Sequence, residues 1–62
     1  MTATPQELMP GDVIRDGTRA GVVRAVQTLH RGWTVIKLVD TTTDMPFSVN
    51  MRNTTEVEVM DA

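Results

Sequence analysis

The chain has 62 residues and a formal net charge of −2, with no cysteine or tyrosine and only one histidine, one tryptophan and one phenylalanine. This leaves room for one domain that buries only about 60% of its unfolded surface, and it excludes disulfides and thiolate metal sites, so self-association or docking on a larger partner is the expected source of extra stability. No apolar run approaches the ~18 residues of a membrane span, and MTATPQEL lacks the basic start and apolar core of a secretory signal, so a cytoplasmic or virion-associated protein without a membrane partner is expected.

In chain order, Thr4-Pro5-Gln6-Glu7 offers a capping threonine and a first-turn proline, enough for one helical turn in an N-terminal arm over residues 1–9. Pro10-Gly11 then turns the chain into a first strand over about 12–15, and Asp16-Gly17 is the favoured pair for a type I′ hairpin turn. A second strand is expected over 19–29, with Val22 and Val26 on one face and Val23, Ala25 and Leu29 on the other. Gly21 inside it reads as a bulge or bend. His30-Arg31-Gly32 makes a hairpin with the third strand, 33–40, Gly32 being free to take positive φ. In that strand Ile36 and Leu38 point one way, and Trp33, Val35 and Val39 the other.

Met45, Phe47, Val49 and Met51 alternate with Pro46, Ser48 and Asn50 in a fourth strand, 45–51, with Pro46 confined to its start or to an edge. Arg52-Asn53-Thr54 has the length of one tight turn, and a fifth strand over 55–60 turns Val57 and Val59 inward and Glu56 and Glu58 outward. Valine and threonine dominate from Asp12 onward, and turn signals recur about every ten residues. The expectation is an all-β, five-stranded, partly open small barrel over residues 12–60 within a single domain spanning 1–62. Its two doubly apolar central strands are expected to bend so that they serve both layers.

The Pro10-Gly11-Asp12-Val13-Ile14 entry, followed by Gly17, Gly21-Val22-Val23 and Val26, resembles the KOW-type variant of the SH3-like small barrels found in transcription factors and ribosomal proteins. The Arg52-Asn53-Thr54 link resembles the short 3₁₀ turn before the last strand of such barrels. The resemblance runs from Leu8 to Val59 and rests on turn residues and valines. It departs from the family in two respects: RNA-binding KOW domains tend to be basic, and this chain has too few aromatic residues for the groove that proline-rich peptides require.

The sequence offers little to catalysis. His30 is the sole histidine and Ser48 the sole serine, and a nucleophile needs an adjacent base held by a third group, so no catalytic residue and no enzymatic activity are expected. Asp40 with Asp44, and Glu56 with Glu58, read as turn and surface charge, with nothing nearby in sequence to shift their pKa values. Asp40, Asp44 and the intervening threonines supply too few charged ligands for calcium and read as a turn bonded to its own backbone. Asn53-Thr54-Thr55 matches the glycosylation acceptor pattern, which has no use without a secretion signal. Gly11, Gly17 and Gly21 fit neither phosphate-loop spacing, so no metal, cofactor or small-molecule substrate is expected.

Two binding surfaces remain. Trp33, Val35 and Val39 form an apolar face suited to a protein partner or to self-association, as in a non-enzymatic interaction module docking on a larger assembly. Alternatively, Arg24, Arg31 and Lys37, with His30 at the turn and Trp33 able to stack on a base, make a hairpin suited to nucleic acid. Charge separates along the chain: residues 15–37 hold Arg15, Arg19, Arg24, Arg31 and Lys37 against Asp16, whereas Asp40, Asp44, Glu56, Glu58 and Asp61 face Arg52 alone in 38–62. Five arginines to one lysine fit a high-GC genome, such as that of an actinobacterium or one of its phages.

Overall fold

A computed structural model describes residues 1–60. It is all-β, with six antiparallel strands in one sheet: β1 (Thr2–Ala3), β2 (Val13–Asp16), β3 (Arg19–Thr28), β4 (Trp33–Asp40), β5 (Pro46–Arg52) and β6 (Val57–Met60). The order across the sheet is β1-β6-β2-β3-β4-β5. The last long strand therefore returns to the first, and the sheet curls into a partly open small barrel. β1 is the sixth strand, too short to leave a periodic signal in the sequence, and it pairs with β6 through Thr2↔Glu58 and Ala3↔Val57.

The expected N-terminal arm is thus built into the sheet. Its single turn is a 3₁₀ turn at Pro5–Glu7, where the Thr4 backbone N–H donates to Glu7 Oε1 at 2.8 Å and the Thr4 hydroxyl to the same oxygen at 3.0 Å. These bonds hold the Glu7 carboxyl below its usual pKa, the backbone N–H of Thr4 being the larger cause. The turn drops Pro5 and Leu8 into the interior.

The core consists of Leu8, Ile14, Val23, Ile36, Leu38, Val57 and Val59, with Ala3, Val26, Phe47, Val49 and Met51 packed against it. Each fully buried aliphatic side chain contributes about 1.5–3 kcal/mol. The strands present alternate residues inward, as period-2 geometry requires, except at one point in β3.

Three local readings change. At the β2–β3 hairpin the two-residue loop is Gly17-Thr18, because Asp16 pairs with Arg19. Only Gly17 has positive φ there (66°), so the loop has the single positive φ of a II′ turn instead of the two that type I′ needs. The bulge in β3 lies at Arg24 and not at Gly21, since the register with β4 shifts between Val23 and Ala25. That extra residue puts Arg24 and Ala25 consecutively on the outer side. Val23 and Val26 then share the inner side, correcting the assignment that uninterrupted alternation gave.

Gly21 answers to packing. A Cβ there would stand 3.0 Å from Leu38 Cβ and 3.0 Å from the edge of the Phe47 ring. At the barrel entry Pro10-Gly11 behaves as expected: Asp12 N–H donates to Met9 O at 3.0 Å, with Gly11 at φ 98°, the geometry of a type II turn with proline and glycine in its two central positions. Gly21→Ala should destabilise the fold by about 1–3 kcal/mol through overpacking against Leu38 and Phe47. Denaturant unfolding measures this, and an unchanged midpoint would show that the Phe47 ring yields freely.

Candidate functional site

β4 divides the molecule into two surfaces. Thr34, Ile36, Leu38 and Asp40 are buried on its inner side, while Trp33, Val35 and Val39 are half-buried on its outer side and Lys37 is exposed between them. The inner side of β4 lies in the core, and its outer side is only partly covered by the described residues.

The register shows what surrounds the three apolar candidates. Val39 lies between Val22 on β3 and Pro46 on β5, and Val22 lies opposite Val13, which lies opposite Met60. Met60, Val13, Val22, Val39 and Pro46 therefore form one apolar row across five strands. Below it, Lys37 lies between Ala25 and Ser48, and Val35 between Gln27 and Asn50. Trp33 lies opposite Arg52, whose guanidinium sits 4.7 Å from the centre of the indole ring, a cation–π contact. Leu29, 40% exposed, donates its N–H to Trp33 O at 2.8 Å and extends the same side.

The basic candidates are dispersed around this face. Lys37 lies within it and Arg24 reaches it through the bulge; both are exposed. His30 and Arg31 are exposed in the β3–β4 connector, where Arg31 takes a left-handed conformation (φ 64°, ψ 30°) just before Gly32 (φ 80°). Sequence reasoning omitted Arg52 from the site, and also Val13, Val22, Pro46 and Met60. Their membership depends on cross-strand register, which local patterning does not contain.

Buried polar groups stand at the two ends of the inner side of β4. At one end the Asp40 carboxylate accepts bonds from the backbone N–H of Thr43 (3.0 Å), Arg19 Nε (3.0 Å) and the backbone N–H of Thr42 (2.7 Å). These donors, Thr43 first, hold its pKa down to about 2, in contrast to the unperturbed carboxylate expected from sequence. The Arg19 guanidinium also lies 3.8 Å from the centre of the Phe47 ring. A carboxylate this fully engaged is a structural clamp on the 41–45 turn, with little basicity to lend to chemistry. At the other end the Thr34 hydroxyl donates to Asn53 Oδ1 at 2.5 Å, and Asn53 N–H donates to Gly32 O at 2.8 Å. The asparagine of the acceptor-like motif is thereby tied to β4.

Among the described residues no three or more His, Asp or Glu side chains gather as a metal site, and no pocket forms. None of the described residues form a helix long and apolar enough to cross a membrane. The chain matches no family model, no curated protein and no solved structure.

The folded pKa of Asp40 lies below its unfolded value near 3.8, so its stabilisation is complete above about pH 4 and is lost as pH falls towards 2. In a pH series of thermal melts, the advantage of the native chain over Asp40→Asn should hold from neutral pH to about 4 and shrink below it. A gap constant across that window would contradict the assignment.

Proposed function

We propose that the chain is a non-enzymatic protein-interaction module that presents the outer side of β3, β4 and β5 to a protein partner. The observation that carries this reading is the placement of Trp33, Val35 and Val39 outside the core, Val39 within the row Met60, Val13, Val22 and Pro46, and Val35 and Trp33 on the same side beyond Lys37. Half-buried apolar residues interleaved with Lys37 and Arg24, and bordered by Arg52, make the mixed apolar and charged surface that non-obligate interfaces use. Aromatic and arginine side chains are the usual anchors of such surfaces, and here they stand stacked together.

The resemblance to SH3-like barrels of KOW type belongs to the same proposal. It is supported by the Pro10-Gly11 turn into the first barrel strand and by the tight turn before the last, where Thr55 N–H donates to Arg52 O at 2.9 Å. The nucleic-acid alternative retains Arg24, His30, Arg31, Trp33 and Lys37, with Arg52 now beside them. Against it stands the Arg52 guanidinium, which already occupies one face of the indole on which a base would stack.

A photoactivatable side chain installed at Val39 in cells should give a discrete protein adduct resistant to nuclease, whereas the same group at Thr18, in the β2–β3 loop, should give none. Adducts removed by nuclease would instead favour the nucleic-acid alternative, and equal labelling at both positions would refute a dedicated outer surface.

A further inference from the structure

β5 is an edge of the sheet. It spans seven residues, Pro46–Arg52, pairs only with β4, and contains neither a bulge nor an inward-pointing charge. Those are among the devices by which edges are normally protected from strand addition. Its inward side chains, Phe47, Val49 and Met51, are only half-buried, so the core is incompletely covered along this edge.

Antiparallel geometry identifies which backbone groups face outward. Asp40 N–H donates to Met45 O at 2.9 Å, which makes Asp40 and Met45 a hydrogen-bonded pair. Bonded and non-bonded pairs then alternate along the β4–β5 ladder. Leu38↔Phe47, Ile36↔Val49 and Thr34↔Met51 are bonded, so Pro46, Ser48, Asn50 and Arg52 direct their backbone polar groups away from β4. Two of those groups are missing or taken: Pro46 has no N–H, and Arg52 O already accepts from Thr55 N–H.

We propose that this edge pairs with the same edge of a second copy of the chain, antiparallel about Val49, joining two sheets into one. The proposal rests on the interaction-module reading and names one of its partners. In this register Ser48 of one copy lies opposite Asn50 of the other, and each exchanges both backbone bonds with its counterpart. Pro46 lies opposite Arg52 of the second copy. The absent N–H of proline then meets the occupied carbonyl of Arg52, while Arg52 N–H donates to Pro46 O. Sliding the strands by two residues in either direction breaks this match: Pro46 would lie opposite Asn50 and leave the Asn50 carbonyl without a donor, or Arg52 would lie opposite Ser48 and leave the Ser48 N–H without an acceptor.

The side chains agree with the backbone. Inside, Val49 meets Val49 and Phe47 meets Met51 of the other copy, extending the apolar layer across the junction. Outside, Ser48 faces Asn50 and Arg52 faces Pro46, so no like charges are opposed. A second copy covers Phe47, Val49 and Met51, which are half-buried at an edge where β5 pairs with β4 alone among the described strands.

The test combines sedimentation velocity over a concentration series with thermal melts of the native chain, the Ser48→Glu/Asn50→Glu variant, the Ser48→Lys/Asn50→Lys variant and Val39→Glu. Both residues of the edge pair are exposed, so the melts should show folded chains. A concentration-dependent dimer is expected for the native chain and for Val39→Glu, weakened at least about tenfold in each doubly charged variant and restored on mixing the two. If a doubly charged variant fails to fold, amide exchange of Ser48 and Asn50 in the native chain decides: protection that increases with concentration supports the pairing, and its absence refutes it. A native chain that stays monomeric overturns the pairing while leaving the outer-surface reading to its own cross-linking test. A dimer that survives the glutamates but is lost with Val39→Glu overturns the edge pairing and assigns self-association to the outer face.

Discussion

The fold depends on the pairing of β6 with β2. Without it the sheet would be an open meander with Ile36, Leu38 and Val23 facing water. With it, Val57 and Val59 close over those residues, through Ile14↔Val59 and Arg15↔Glu58. Since β6 follows β5 in sequence but lies four strands away, the turn at 52–55 redirects the chain across the barrel. Its anchoring by Asn53 to Gly32 and Thr34 is what gives that redirection a defined path. β1 and Leu8 then cover the far side of β6 and the interior, so even the first residues serve closure.

A single curled sheet has one inside. Every residue on the inner side of β4 is buried, and on its outer side Trp33, Val35 and Val39 are only half-covered by the described residues. The apolar row from Met60 to Pro46 is therefore a consequence of closure as much as a feature of the surface. The half-covered edge residues Phe47, Val49 and Met51 have the same origin, because β5, like β1 at the opposite edge, pairs with one strand only. Both proposed contacts, one with a partner on the outer side and one with a second copy at the edge, lie where intramolecular burial runs out.

Much of this was legible in the sequence. Val35-Ile36-Lys37-Leu38-Val39 sorted its two faces correctly, and the turns at Pro10-Gly11 and His30-Arg31-Gly32 were marked by residues that only such turns require. What was hidden was non-local. The bulge at Arg24 leaves no composition signal, yet it reverses the side taken by Val26. Gly21 looks like any strand glycine until the Phe47 ring is seen against it. The low pKa of Asp40 depends partly on Arg19, distant in sequence and brought near by the β3–β4 pairing, and the outer row exists only once Val13, Val22 and Val39 are in register.

Adjacent residues of β4 have different surroundings, one in the core and one on the half-covered outer side. Ile36→Ala and Val35→Ala, compared by urea unfolding of otherwise identical chains, test this difference most directly. Ile36→Ala should cost about 2–5 kcal/mol or unfold the chain outright, and Val35→Ala less than about 1 kcal/mol. Comparable losses at both positions would mean that the outer side is a second core, and would contradict its role as a surface.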